Sequence, residues 1–159
     1  IISSQKIRKL IQNGQFKLAN NLLGRNWIIT GNVEKGKQQG REIGFPTANV
    51  SLKNFLKPPL GVYVSRLKII DSKNSDICND WLPSISNIGT RPTVSGESIN
   101  LETHIIDFKK NNFETKLYGK RIHVELIQFL RPEKKFESLS ELQKQIEIDT
   151  KRACEFHEL

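Results

Sequence analysis

The chain has 159 residues, of which 36% are hydrophobic, and a formal net charge of +8. This size suffices for one domain with its own hydrophobic core. No apolar run approaches the roughly 20 residues of a membrane-spanning helix, and the N-terminus lacks the order of a secretion signal. The positive charge favours an anionic partner, which could be nucleic acid or a phosphorylated small molecule.

The two cysteines, Cys78 and Cys154, are far apart in the sequence and have no clustered histidine or cysteine neighbours. This spacing argues against a zinc site and against a disulfide framework. We therefore expect reduced thiols in a cytoplasmic protein.

Two short helices are predicted at the N-terminus. Apolar residues recur at helical spacing after two serines at positions 3 and 4, and Gly14 is placed to end this helix. A second helix is predicted for residues 16–23, and Gly24 closes it. Because the sequence pattern then changes, residues 1–25 are interpreted as a helical appendage to a domain of residues 26–159.

The middle of the chain predicts short β-strands separated by clusters of Gly, Pro, Asn and Asp. No long helical pattern separates them, so an antiparallel barrel or sandwich is favoured over parallel βαβ units. The polar segment 71–80 is predicted to be a hairpin loop that carries no chemistry. The clearest strands are residues 27–33, 62–70, 82–88, 99–107 and 121–130, and in the last of these Ile122, Val124, Leu126 and Leu130 are predicted to face one side.

The chain ends with a predicted helix. Ser138 and Glu141 have the spacing of a capping box, and Leu142, Ile146 and Ala153 form an apolar stripe. We expect this helix to pack against the outside of the barrel or to plug one end of it.

Segment 31–44 contains four glycines, with Lys35, Lys37 and Arg41 among them. Glycines let backbone amides approach phosphate oxygens closely, and the cations neutralise the phosphate charge. Neither a Walker A loop nor a Rossmann fingerprint is present. The segment could therefore bind phosphate, or it could be a glycine-rich turn between strands.

Thr47 and Asn49 follow a proline in the sequence Pro46-Thr47-Ala48-Asn49. If this stretch is extended, the hydroxyl and the amide project from the same face. Such oxygens suit a magnesium ion that keeps most of its waters and also binds phosphate oxygens. The alternative is a turn in which both side chains bond their own backbone.

In the predicted strand 99–107, Asn100, Glu102 and His104 share one face. A carboxylate beside a bound hydroxyl could accept its proton during phosphoryl transfer. The alternative is a solvated strand face, on which His104 would be a structural hydrogen bonder. Residues 130–136 could form a mobile flap that carries Arg131 over a ligand, or a charged connector.

Seven segments of this chain, in this order, resemble the riboflavin kinase family, and together they extend over most of residues 27–153. The segments are Gly31-x-Val33-x-x-Gly36, Gly40-Arg41-x-x-Gly44-Phe45-Pro46-Thr47-Ala48-Asn49, Gly61-Val62-Tyr63, Asn87-Ile88-Gly89-x-Arg91-Pro92-Thr93, Leu101-Glu102-x-His104, Leu117-Tyr118-Gly119 and Leu130-Arg131-Pro132-Glu133-x-x-Phe136.

The resemblance implies a mainly β fold, a six-stranded antiparallel Greek-key β-barrel with a C-terminal α-helix. It also implies that the protein phosphorylates the terminal ribityl hydroxyl of riboflavin with Mg²⁺ and ATP, which gives FMN and ADP. By the same resemblance Glu102 is the general base, and Thr47 and Asn49 hold the magnesium ion. ATP and its phosphates would contact Gly31, Val33, Gly36, Gly40, Arg41, Thr47 and Asn49. The flavin would contact Asn87, Gly89 and Arg131.

Residues 2–8 and 22–25 resemble the end of the adenylyltransferase module that precedes the kinase in bacterial bifunctional riboflavin kinase/FAD synthetases. This chain reads Ser3-Ser4-Gln5 where those enzymes usually read Ser-Ser-Thr. The resemblance implies an upstream adenylyltransferase module as a partner in the intact protein. The fragment by itself is not expected to make FAD.

Two other functions stay open. A noncatalytic flavin-binding regulatory module would keep the fold without the activity, although Thr47, Asn49 and Glu102 are all present. A basic OB-like barrel could bind single-stranded nucleic acid, but such a surface needs interleaved aromatic residues, which are only 8% of this chain. We therefore expect small-molecule substrates, no nucleic acid and no membrane.

Overall fold

The computed structural model describes residues 2–70, 80–106 and 117–158, so Cys78 and most of the predicted hairpin loop 71–80 lie outside the described residues. The helices in the described part are α1 (Ser4–Gln12), α2 (Phe16–Leu23), α3 (Gln39–Glu42) and α4 (Leu139–Phe156). The strands are β1 (Ile29–Asn32), β2 (Ala48–Ser51), β3 (Gly61–Ile70), β4 (Leu82–Thr93), β5 (Gly96–Ile105) and β6 (Arg121–Pro132).

The six strands form one antiparallel sheet in the order β1-β6-β3-β4-β5-β2. Strands β3, β4 and β5 follow each other as hairpins, and β6 returns beside β3, which is a Greek-key arrangement. The two edges of the sheet approach each other where the Glu34 N–H donates to the Asn49 carbonyl oxygen at 2.8 Å. The predicted six-stranded antiparallel barrel is therefore confirmed, and it is nearly closed.

The N-terminal helices pack on the barrel and share its core. Ile11, Phe16 and Ala19 are buried in the same cluster as the barrel residues. The Phe16 ring stacks on Trp27 at 6.0 Å and meets Tyr63 at 5.8 Å between ring centroids. Residues 1–25 are an appendage in sequence pattern, but they contribute apolar surface to the core of residues 26–159.

Helix α4 packs on the outside of the barrel. Its N-terminus is capped because the Glu141 N–H donates to Ser138 Oγ at 3.2 Å, as the capping-box spacing predicted. Ala153 is buried against Val62, Val64 and Ile85 on the outer face of β3 and β4. Of the two predicted arrangements, packing against the outside of the barrel occurs and plugging of one end does not.

Strand β6 contains two bulges beside this helix, because its pairing with β3 shifts between Val62 and Tyr63 and again between Val64 and Ser65. Bulges interrupt the alternation of side chains between the two faces. Leu126 therefore faces the barrel core as predicted, whereas Leu130 packs with the cluster under α4. The expectation that Leu130 faces the core is wrong for this reason.

Candidate active site

A cavity of about 490 Å³ lies on the outer face of the barrel, between β4, β5, helix α4 and the β6–α4 segment, by which we mean residues 133–138. Alternation along β4 and β5 turns their polar outer residues towards this space. The predicted site residues that line it are Gly40, Thr47, Asn87, Gly89, Glu102 and Arg131. The fold thus gathers residues from motifs that are far apart in the sequence.

Glu102 lies on β5, the strand between β2 and β4. It pairs in register with Asn49 on one side and with Asn87 on the other. Burial raises the pKa of the Glu102 carboxyl, and Glu133 raises it further, whereas Arg91 and Lys37 act in the opposite direction. The result is a carboxylate with increased basicity that faces a cavity.

Thr47 and Asn49 form a small polar cluster where β2 begins. Asn49 is buried, and its Nδ2 donates to Thr47 Oγ1 at 3.4 Å and to the Thr47 carbonyl at 3.3 Å. The Asn49 Oδ1 atom is buried and has no hydrogen-bond partner. The Asn49 Nδ2 atom faces the Thr47 hydroxyl, and the hydroxyl and the unpartnered amide oxygen are both donor types that suit a magnesium ion with remaining ligands from water and phosphate.

The glycine-rich segment is arranged in two parts. Gly36 packs directly on the Asn49 amide, because a Cβ at position 36 would lie 2.5 Å from Asn49 Nδ2 and Oδ1. Gly40 lines the cavity and packs on the Phe45 carbonyl oxygen, and the Phe45 N–H donates to the Gly40 carbonyl at 2.6 Å. These glycines allow the segment to lie against the Thr47 and Asn49 cluster.

Asn49 contacts Thr47 and Gly36 packs on Asn49, but neither lines the cavity, and three further predicted nucleotide contacts also lie away from its lining. Gly31 is in β1, where a Cβ would lie 2.6 Å from Val50 Cγ1, so packing of the barrel wall requires glycine there. Val33 is buried, and its backbone bonds Lys120 and Gly119. Arg41 is exposed on α3. The roles of these three residues in nucleotide binding stay predictions.

Arg131 belongs to the end of β6 and is held in place by the protein. Its Nε donates to Asp149 Oδ2 at 2.9 Å, and its Nη2 lies 2.8 Å from the same oxygen. Its Nη1 donates to the Pro132 carbonyl at 3.0 Å, and the guanidinium lies over the Phe136 ring. Arg131 is therefore part of the strand and is fastened to α4, while its contact with a flavin stays a prediction.

The residues that line this cavity but have no assigned catalytic or binding role from the sequence include Arg91, His104, Glu133 and Asp149. Asp149 carried a detectable signal, because it interrupts the helical stripe of Leu142, Ile146 and Ala153 with a charge. A buried charge at such a position needs a partner. No sequence signal pointed to Glu133, because the contact of its carboxylate with the Gly89 backbone depends on how β6 and β4 meet.

Comparison with known proteins identifies the family of this barrel. The family model described as riboflavin kinase matches residues 23–157. The bifunctional riboflavin kinase/FMN adenylyltransferase of Escherichia coli strain K12 is 41% identical over 155 residues, which are 98% of this chain and 46% of that protein. The chain belongs to the riboflavin kinase family, and it spans about half the length of the curated relatives it matches.

Two solved structures are similar to this chain. A structure described as a macrolide-efflux protein from Streptococcus pneumoniae has a TM-score of 0.76 and 32% identity, over 94% of this chain and 45% of that chain. The riboflavin kinase of Trypanosoma brucei has a TM-score of 0.53 and 19% identity, over 81% of this chain and 78% of that chain. The second similarity shows the fold alone. Membership of the family confirms the resemblance seen in the sequence and supports ATP-dependent phosphorylation of riboflavin to FMN.

Within the part of the chain that the structure describes, no helix combines the length and apolar character needed to cross a bilayer. The same residues contain no group of three or more His, Cys, Asp or Glu side chains that could hold a metal ion.

Proposed function

We propose that this domain transfers the γ-phosphoryl group of ATP to the terminal ribityl hydroxyl of riboflavin. The hydroxyl oxygen forms a bond to the γ-phosphorus as the bond from that phosphorus to the bridging oxygen breaks, and ADP leaves with the electron pair. The observation that carries the proposal is the cavity that contains Glu102 together with Thr47 and Gly40. Phosphoryl transfer needs mainly in-line positioning and charge stabilisation, which such a cavity can provide.

Glu102 acts as the general base and accepts the proton of the ribityl hydroxyl. Its raised pKa supports this role, because a more basic carboxylate accepts a proton more readily. Partial burial of the carboxyl is the main cause of this raised pKa.

Thr47 and Asn49 hold the magnesium ion and the phosphates through the Thr47 hydroxyl and the Asn49 amide oxygen. When bound, magnesium supplies positive charge to the phosphate oxygens during transfer. The unpartnered Asn49 Oδ1 supports this assignment, because a buried polar atom without a hydrogen bond is costly unless a ligand completes it. Gly36 and Gly40 let the loop approach the nucleotide, and Lys37 adds a cation on the same side.

The flavin occupies the part of the cavity near β4 and the end of β6. Asn87 supplies an amide, the Gly89 backbone lies beneath the Glu133 carboxylate, and Arg131 borders the same space. Because Asp149 fixes the Arg131 guanidinium, Arg131 presents a rigid wall to the flavin rather than a mobile arm.

In the intact protein this domain works beside an FMN adenylyltransferase module. The names of the curated relatives join both activities, and this chain covers 46% of the Escherichia coli relative. The FMN that leaves the kinase would then be the substrate of the second module, so this chain alone forms no FAD. Dependence on ATP supports a cytoplasmic location.

The first test is to incubate the domain with riboflavin, ATP and MgCl₂ and to separate the flavins by chromatography with fluorescence detection. FMN should form only when ATP and magnesium are both present. If riboflavin binds, as shown by quenching of its fluorescence, but no FMN forms, the domain is a noncatalytic flavin-binding module instead. If RNA or single-stranded DNA binds and riboflavin does not, the basic-barrel alternative replaces the proposal.

A variant pair on one strand tests the base. Glu102→Gln should lower kcat by about 100-fold to 10,000-fold and leave the riboflavin Kd nearly unchanged, because the shape persists while the proton acceptor is lost. Glu97→Gln is the matched control, since Glu97 lies on the same strand β5 but is exposed. Equal losses in the two variants, or equal losses in binding and turnover, would contradict the assignment.

Thr47→Ala tests the magnesium site, with Thr47→Ser as the control that keeps the hydroxyl. We expect Thr47→Ala to raise the KM for Mg²⁺-ATP and the magnesium concentration needed for half-maximal rate, while the KM for riboflavin changes less. Unchanged magnesium dependence in Thr47→Ala would remove Thr47 from the site.

A further inference from the structure

His104 connects strand β5 to the segment that directly precedes β2. Its Nδ1 atom lies 2.8 Å from the Pro46 carbonyl oxygen, and the two residues are 58 positions apart in the sequence. The ring also meets Phe45 edge to face, with centroids 5.3 Å apart and planes at 71°. His104 thus touches both residues that lead into Thr47.

The location of this contact follows from the strand register. Ala48 pairs with Thr103 and Asn49 with Glu102, so the next pair in the same register would be Thr47 and His104. The ladder ends at Ala48, because β2 begins there and Pro46 has no N–H to donate. Beyond the end of this ladder, the His104 side chain donates a cross-strand hydrogen bond to the Pro46 carbonyl.

The Pro46 carbonyl can only accept a hydrogen bond, so the His104 Nδ1 atom must be the donor and carries a proton. In a neutral ring this leaves Nε2 without a proton. The contact therefore specifies one tautomer of His104, and the two ring nitrogens can be distinguished by experiment.

We propose that His104 is a positioning residue for phosphoryl transfer, which fixes the Pro46-Thr47 segment relative to Glu102 through its Nδ1–H donor. This inference rests on the proposed function. Thr47 directly precedes β2, and Glu102 lies on the neighbouring strand β5, while the Thr47 hydroxyl comes directly after the carbonyl that His104 holds. Without that bond the segment gains freedom, and Mg²⁺-ATP binding must then order it.

Two substitutions separate the nitrogens of the ring. His104→Asn places an amide N–H near the position of Nδ1 and keeps a donor for the Pro46 carbonyl, whereas His104→Gln places its amide near the position of Nε2. Groups that orient a ligand-binding side chain from behind typically change affinity or activity about 10-fold to 100-fold when removed. We expect a rise of this size in the KM for Mg²⁺-ATP in His104→Gln, a much smaller rise in His104→Asn, and little change in the KM for riboflavin in either.

The reverse order, with His104→Gln active and His104→Asn impaired, would overturn the proposal, because Nε2 would then be the functional atom. Unchanged kinetics in both variants would overturn it as well. A change in kcat alone, with Mg²⁺-ATP binding unaltered in both variants, would show that His104 does not act through the Pro46-Thr47 segment.

A second measurement decides the contact without relying on activity. In ¹⁵N-labelled protein, long-range ¹H–¹⁵N correlation of the histidine rings should show His104 with a protonated Nδ1. In hydrogen exchange, His104→Gln should increase the amide exchange rates of Thr47 and the first residues of β2 more than His104→Asn does. A ring protonated at Nε2 alone would overturn the proposal even if FMN forms. If FMN does not form, the proposed function fails, but the wild-type ring spectrum still shows whether His104 Nδ1 donates to the Pro46 carbonyl. The same spectrum decides this point if a variant does not fold.

Discussion

Replacing Asp149 with alanine tests whether one buried ion pair fastens helix α4 to the barrel and to the cavity. The Asp149 side chain is 2% exposed. It accepts hydrogen bonds from Arg131 Nε at 2.9 Å and from Gln145 Nε2 at 3.0 Å, and Arg131 Nη2 lies 2.8 Å away. Asp149→Ala would leave the Arg131 guanidinium, which is 17% exposed, without its counter-ion.

Removing one partner of a buried ion pair costs about 3–5 kcal/mol. The lower end applies here, about 3 kcal/mol, because Arg131 keeps its bond to the Pro132 carbonyl, its contact with Phe136 and some access to water. With a urea dependence of about 2 kcal/mol per molar, the midpoint of unfolding should fall by about 1.5 M. Urea titration followed by circular dichroism and tryptophan fluorescence measures this shift.

Glu147→Ala is the matched control on the same helix. Glu147 is exposed and accepts a hydrogen bond from Gln143 at 3.2 Å, an interaction worth about 0.2–0.5 kcal/mol. If Asp149→Ala destabilises the protein by less than about 1 kcal/mol, the pair behaves like an exposed ion pair and the reasoning fails. Equal losses in both variants would show that the effect comes from helix propensity. Since Arg131 and Asp149 both line the cavity, the variant should also raise the KM for riboflavin.

Because the Glu102 pKa is raised, kcat/KM should fall as the pH drops below that pKa, with the acidic limb of the pH–rate profile above the range of an exposed glutamate. Such a carboxyl stabilises the fold below its unfolded-state pKa and loses this contribution as the pH rises through its folded-state pKa. In thermal unfolding, the Tm of Glu102→Gln should therefore be higher than that of wild type at neutral pH and equal to it at about pH 4. Gly36→Ala would place a Cβ 2.5 Å from the Asn49 amide and should weaken Mg²⁺-ATP binding in calorimetry, whereas Gly24→Ala, with open space around it, should not. Phe16→Ala should lower the free energy of unfolding by about 3 kcal/mol in a single urea transition, and a separate early transition would show that α2 is not part of the barrel's folding unit.

Local patterns predicted the parts of the fold that depend on neighbouring residues. The capping serine of α4 and the glycine that ends α2 follow from the chemistry of helix termini. The common face of Glu102 and His104 follows from the two-residue period of a strand. Strand β2 was not among the clearest predicted strands; it has four residues, and its partner β5 lies about 50 positions later in the chain.

The sequence by itself determined the family, the residue types available for chemistry and the face on which Glu102 lies, because these depend on motif order and on local backbone geometry. Only the tertiary structure decided that Asp149 holds Arg131, that Leu130 turns towards α4, and that His104 holds the carbonyl before Thr47. These contacts join residues remote in sequence, and their geometry depends on strand register, on two bulges in β6 and on where α4 docks. The two-residue period of a strand carries no information about register, bulges or helix docking, so these contacts became visible only in the packed barrel.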